Sequence, residues 1–143
     1  FEQAVKALNE TKKRNIKTGA HFIIGLPDET DEMIINSVET ISSLPLDTIK
    51  FHQLQIVKNT AMEKEYLNNP QRFRFFSLDN YLELICKITE RLNPLFVLER
   101  IANEVPPWYL AGPGWGLIRI KEIMNLFEKK LEEKNTWQGR LYK

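Results

Sequence analysis

Cysteine is almost missing from this sequence: among 143 residues Cys86 stands alone. That excludes a disulfide framework within the chain, and any metal or cluster site built from its own cysteines. Histidine is nearly as scarce, with His21 and His52 alone, and neither a Cys pair nor a His-x-x-His motif occurs. Two imidazoles fall short of the three or four ligands that a metal site normally takes. No P-loop and no Gly-x-Gly-x-x-Gly run is present, so no local phosphate-cradling signature can be read. The apolar runs are far shorter than the roughly 20 residues that span a bilayer. Charge of one sign is lacking too. Twenty Lys+Arg face nineteen Asp+Glu, a net charge of +1, and no global field calls for nucleic acid, a membrane surface or an acidic partner. No signal peptide is visible, and a cytoplasmic location is the expectation.

What is present is the balance of a folded soluble domain, 43% hydrophobic and 27% charged. A chain of this size buries roughly 68–70% of its unfolded surface, enough for a core without staples. It opens on Phe1-Glu2-Gln3-Ala4-Val5, already inside a helical pattern and without Met, which leads to the expectation of a piece of a longer protein. Residues 1–143 read as a portion of one domain, with β/α units over 1–101 and a loop, helix and tail over 102–143.

Periodicity gives the organisation. Phe1, Val5 and Leu8 form a helical stripe ending in the basic run Lys12-Lys13-Arg14. Residues 18–25 are a short apolar run closed by Gly25, which predicts a strand buried on both faces. Thr30 before Asp31 and Glu32 predicts a helix start, and Ile34, Val38 and Ile41 give its buried face until Pro45. Ile49 to Val57 predicts a second strand, and residues 61–76 read as polar and aromatic connection with a turn at Asn68-Asn69-Pro70. Ser77 caps a helix whose buried face is Leu78, Tyr81, Leu82, Ile85, Ile88 and Leu92. Leu95 to Ile101 predicts a third strand, residues 103–116 a long Pro/Gly loop, and Leu117 to Lys134 a last helix before a tail. Helices alternating with strands predict an α/β fold: parallel strands joined by crossover helices. Ligands of such sheets sit at the carboxyl ends of the strands.

The candidate chemistry is sparse. His21 and His52 each fall on a predicted strand, and imidazoles on neighbouring strands either pack with hydrogen bonds or face a common ligand. Lys50, His52, Gln53 and Gln55 interrupt a strand whose pattern reads as buried, and buried polar groups cost about 1–3 kcal/mol each without partners. A lumen holding a polar cofactor supplies such partners; so do neighbouring side chains. Gly25 lets backbone approach a ligand, or simply makes a turn. Cys86, on the apolar face of its helix, reads as an inert core residue. Arg100 and Glu104 flank the third strand's end, where a surface ion pair is the ordinary outcome. Trp108, Tyr109, Trp115 and Trp137 suit a lid packed on a core better than a stacking platform.

His21-Phe22-Ile23-Ile24-Gly25-Leu26-Pro27-Asp28 resembles the fifth strand and turn of radical SAM enzymes, whose pattern there is Gly-x-Ile-x-Gly-x-x-Glu. Ile23 and Gly25 match; His21 replaces the first glycine and Asp28 stands at the acidic position. The stretch Lys50 to Thr60 resembles the sixth strand, with Asn59 where a glycine is usual. The tail Thr136-Trp137-Gln138-Gly139-Arg140-Leu141-Tyr142, with Trp115 and Glu99-Arg100, is similar to the YhcC-type family, related to the Elongator catalytic subunit and oxygen-independent coproporphyrinogen oxidase. The resemblance implies the carboxyl-terminal half of a partial (β/α) TIM-like radical SAM barrel. It implies S-adenosylmethionine and a [4Fe-4S] cluster as cofactors, a reducing electron donor, and reductive cleavage to a 5′-deoxyadenosyl radical acting on an unknown substrate. The cluster's Cys-x3-Cys-x2-Cys ligands would lie outside this chain, which alone would be inactive. The cofactor-binding candidates so implied are Ile23 and Gly25 against adenosine, His52 and Gln55 lining the lumen, Val57 at the sixth strand's end, and Arg100 for a negative group. No catalytic residue is assigned.

Two other readings stay open. A β/α-barrel enzyme without iron would place its acid, base or lysine at strand ends, where Asp28, Lys58 and Glu104 stand. A non-catalytic interaction domain would use the aromatic tail for docking. In any of them, an exposed edge on the first strand leads to the expectation of a homodimer of the fragment.

Overall fold

The computed structural model describes all 143 residues. The chain runs α1 (Glu2–Lys12), β1 (Gly19–Ile24), α2 (Asp31–Ser42), β2 (Thr48–Gln53), α3 (Ala61–Asn68), α4 (Leu78–Arg91), β3 (Val97–Arg100) and α5 (Ile120–Glu133). The three strands form one parallel sheet in the order β1-β2-β3, open at both edges.

Two of the helix starts follow the expected cap chemistry. The Thr30 hydroxyl accepts the Met33 N–H at 3.2 Å, and Ser77 does the same for Asn80 at 3.3 Å. Their apolar stripes then bury as the spacing required: Ile34, Val38 and Ile41 of α2, and Tyr81, Leu82, Ile85 and Ile88 of α4, all join one core with Ile49 and Phe51 of β2. Helix α5 adds Ile123 and Phe127. Its Lys130 ammonium lies 2.7 Å from both Asp79 and Glu83, clamping α5 onto α4. Cys86 lies in the same core, 2% exposed, and burial pushes its thiol up to about 11, which keeps it protonated and inert.

Three expectations need correction. First, β1 is not buried on both faces. Ala20, Phe22 and Ile24 turn toward the core while His21 and Ile23 turn outward, because α2 and α4 cover one face of the sheet and nothing covers the other. Second, β2 ends at Gln53 rather than Val57. The Gln53 amide turns to the backbone of Asn103, donating to its carbonyl at 2.8 Å and accepting from its N–H at 3.0 Å. Residues 56–58 pair instead with the loop at 109–111, through an antiparallel bridge between Val57 and Leu110. Third, residues 61–76 contain a helix. Thr60 accepts the Glu63 N–H at 3.2 Å and caps α3, while Glu63 accepts the Asn59 N–H, one residue before the cap, at 2.7 Å. Asn59, standing where the related pattern has glycine, takes the left-handed conformation with φ 63°.

The carboxyl-terminal tail is a clasp on α4. A helix leaves its last carbonyls without partners. Here Gly139 N–H donates to Thr89 O at 3.0 Å and Leu141 N–H to Glu90 O at 2.6 Å. Gln138 Nε2 reaches the Asn93 and Phe96 carbonyls, each at 2.9 Å, and Thr136 donates to Glu90 Oε1 at 2.6 Å. Gly139 sits at φ +80°, and a Cβ there would stand 2.8 Å from Pro94, so the fit requires glycine twice over.

Candidate functional site

The uncovered face of the sheet carries the polar side chains. Alternation along β2 sends Ile49 and Phe51 into the core, so Lys50 and His52 must face the other way. The parallel register sets His21 opposite Lys50 and Ile23 opposite His52. The two imidazoles stack across the strands with centroids 5.3 Å apart and planes 22° from parallel.

On the far side β3 breaks register. Ile49 pairs with Leu98, but the next residue, Lys50, pairs with Arg100. Skipping one residue brings Glu99 and Arg100 together beside Lys50. Glu99 lies 2.7 Å from the Lys50 ammonium, and that contact, followed by a hydrogen bond from Thr48, holds the carboxyl below the usual range. Arg100 has no ion pair. The pairing with Glu104 suggested by their sequence positions does not form: Glu104 accepts the Ile120 N–H at 3.0 Å and approaches Arg119 at 3.7 Å, capping α5.

Two nitrogens on this face are shut off from solvent with no hydrogen-bond partner, Nε2 of His52 and Nε of Arg100. The His52 ring is held below its ordinary value, first by its burial and then by the charges of Arg100, His21 and Lys50. At neutral pH it is an uncharged imidazole beside a fixed guanidinium.

The turn layer at the carboxyl ends of the strands holds the rest. Gly25 has φ +88° and packs its α-carbon against the Phe76 ring, which a Cβ would approach to 3.0 Å. Its N–H and that of Leu26 donate to the Glu29 carboxylate at 2.7 and 3.1 Å. Glu29 therefore holds this turn, whereas Asp28, at φ 64°, binds Arg72 at 2.7 Å. Gln55 is in the loop after β2 and lines a small crevice with Arg74, Phe75, Phe76 and Trp115. Trp115 is anchored through Nε1 to Phe76 O at 2.8 Å and packs on Tyr81. Trp108, Tyr109 and Trp137 are each more than half exposed, so the aromatic group splits into one packed residue and three surface ones.

Of the sequence-derived candidates, Ile23, His52 and Arg100 share the uncovered face, while Gly25, Gln55 and Val57 lie in the turns beyond it. Lys50, singled out by the strand pattern, is joined by Glu99 and Glu29, which were not candidates. The Lys50–Glu99 pair follows from the register of β3, which no local pattern announces. No group of three or more His, Cys, Asp or Glu side chains is placed to hold a metal, and Cys86 is buried on α4. These residues do not fit an iron–sulfur cluster, whose ligands would come from outside this chain. No helix is long and apolar enough to cross a membrane.

A family profile described as the Radical_SAM C-terminal domain matches residues 46–133. The uncharacterised protein YtqA of Bacillus subtilis is 30% identical over 142 residues, 99% of this chain and 43% of that protein. The Escherichia coli protein YhcC is 25% identical over 120 residues, 80% of this chain and 38% of its own length. The chain thus spans about two fifths of the curated relatives it matches. An archaeal Elp3 structure from Methanocaldococcus infernus, lacking its N-terminal residues 1–46, superposes with a TM-score of 0.75 at 18% identity. That superposition covers 96% of this chain and 32% of that one.

Proposed function

Because the chain belongs to the radical SAM C-terminal domain family, we propose that it forms part of an enzyme that uses S-adenosylmethionine as a radical source. Its share would be one wall of the reaction chamber. The observation that carries this reading is the sheet itself: three parallel strands with one face packed on helices and the other, bearing His21, Ile23, Lys50, His52 and Arg100, left uncovered. A polar, uncovered sheet face is what an open barrel wall turns toward its ligands. When bound and given one electron through a [4Fe-4S] cluster held elsewhere, S-adenosylmethionine supplies a 5′-deoxyadenosyl group as a hydrogen-abstracting radical, with methionine released.

The residues of this chain bind and orient. Ile23, 51% exposed on that face, offers apolar contact to an adenosine. The turn at Gly25 is fixed by Glu29 and Phe76, so its backbone is rigid where a purine edge would rest. Val57 and Asn59, tied to the loop at Leu110 and to Glu63, fix the other rim. His52, uncharged, lines the chamber beside them; Gln55 faces the crevice at its rim.

The test uses the longer protein containing this chain, purified without oxygen and reconstituted with iron and sulfide. Dithionite plus S-adenosylmethionine is expected to yield 5′-deoxyadenosine, measured by chromatography. Absence of both the product and the brown cluster absorbance in a folded protein would exclude the reading.

A further inference from the structure

We infer that Arg100 and His52 form a binding site for an oxyanion, a carboxylate or a phosphate, separate from the adenosine contacts proposed above. This inference rests on the reading above for the adenosine contacts, but the site itself stands on geometry.

The argument begins with charge. The uncovered face carries two fixed cations, Lys50 and Arg100, and one carboxylate, Glu99. Glu99 lies 2.7 Å from the Lys50 ammonium. The remaining nearby carboxylate, Glu104, serves the start of α5. Arg100 is therefore a half-buried guanidinium without a counter-ion, and its Nε has no hydrogen-bond partner. Half-buried cations are normally paired, since desolvation without compensation is costly. The neighbouring His52 Nε2 is likewise unpartnered and, like the Arg100 Nε, shut off from solvent, so an anion reaches Arg100 through the terminal nitrogens of its fork and the ring only as the side chain shifts.

The two groups suit one ligand. A guanidinium presents a planar fork matched to a carboxylate or phosphate edge. A neutral imidazole adds one N–H donor. Three groups act on His52: His21 from β1, Lys50 on its own strand and Arg100 from β3, with Glu99 held on Lys50. An oxyanion there offsets the positive charges of Arg100, His21 and Lys50 that, after burial, disfavour protonation of the ring. Its binding therefore raises the His52 pKa, and by linkage it binds more tightly as the pH falls.

The position separates this site from an adenosine. Neighbouring strands lie about 4.8 Å apart, so the backbone of Arg100 on β3 is roughly 10 Å from that of Ile23 on β1, and Gly25 lies in the turn beyond β1. A neutral purine and ribose give a guanidinium nothing to neutralise. The anion bound at Arg100 is therefore not the adenosine.

The experiment titrates the 143-residue chain with sodium sulfate and, separately, with sodium acetate, against sodium chloride at matched ionic strength. The His52 and His21 ring resonances are followed by NMR between pH 5.5 and 8. Saturable shifts of His52 with an upward move of its pKa are expected. A stronger response to sulfate assigns a phosphate-like group and a stronger response to acetate a carboxylate. R100Q is expected to weaken binding about tenfold to a hundredfold, and R100K, which keeps the charge without the fork, to fall between. An absent response in both salts, or an equal one in R100Q, overturns the site; unchanged resonances of the core residues Ile49 and Phe51 show that each variant is folded. A parallel titration with S-adenosylmethionine follows the Gly25 amide. Response there without a sulfate or acetate response overturns this inference alone. Anion binding by the chain together with no 5′-deoxyadenosine from the reconstituted longer protein supports the oxyanion site and counts against the radical SAM reading.

Discussion

Consecutive residues of β2 have opposite fates. Ile49 and Phe51 are 0% and 1% exposed, wedged between α2 and α4, whereas Lys50 and His52 turn to a face that no element covers. The first pair can be replaced only at a cost in packing. The second pair contributes little packing but lies among unpartnered nitrogens and charges. One strand thus divides stability from chemistry at a period of two residues, and a substitution should reveal which side it is on.

The largest effect is expected from Phe51→Ala, which empties a fully buried site and should lower unfolding free energy by about 3–5 kcal/mol in urea denaturation. Lys50→Ala, one residue away, should change it by no more than about 1 kcal/mol, since a part-exposed ion pair is worth little. Equal losses in the two variants would erase the distinction between the faces. Next comes Gly139→Ala, which forces a Cβ against Pro94 at φ +80° and should cost about 1–3 kcal/mol. Faster amide exchange at Gly139 and Leu141 should accompany it, because the clasp on α4 loosens first. Thr60→Ala removes the α3 cap at about 1 kcal/mol, and its effect should stay local to the rim.

The smallest effect is a pH dependence confined to the uncovered face. His52 is held below its ordinary value of 6.5 in the folded chain. Below that pH the unfolded chain takes up a proton that the folded chain resists. Stability therefore falls as the pH drops from 6.5 through the lowered folded value, and is fully present above 6.5. Carboxylates such as Glu99, whose values are also lowered, act at more acidic pH. Denaturation midpoints between pH 7 and 5 should decline less steeply in H52Q than in the parent. An identical slope in both would remove His52 as the cause.

Much of the covered side was legible in the residue pattern. The stripe Ile34, Val38 and Ile41 and the stripe Tyr81, Leu82, Ile85 and Ile88 each imply one buried helical face, and Thr30 and Ser77 mark where those helices begin. The start of α3 at Thr60 was missed, because the polar and aromatic stretch that follows suggested a connection. The early end of β2 was not readable, because the chain there meets partners far away in sequence: the Gln53 amide bonds to Asn103, fifty residues on, and Val57 bridges to Leu110.

Local periodicity and cap chemistry therefore determined the helices, the alternation along β2 and the parallel α/β class, since each depends on neighbours within a few turns of chain. The tail motif similarly pointed to the family, and its Gly139 and Gln138 find their physical use in closing α4. The candidate site was decided by tertiary structure alone. Whether Arg100 met Glu104 or stood free beside His52 depended on the register skip between Ile49 and Lys50 and on Glu104 turning to α5. Both are set by how distant elements pack, which no run of adjacent residues encodes.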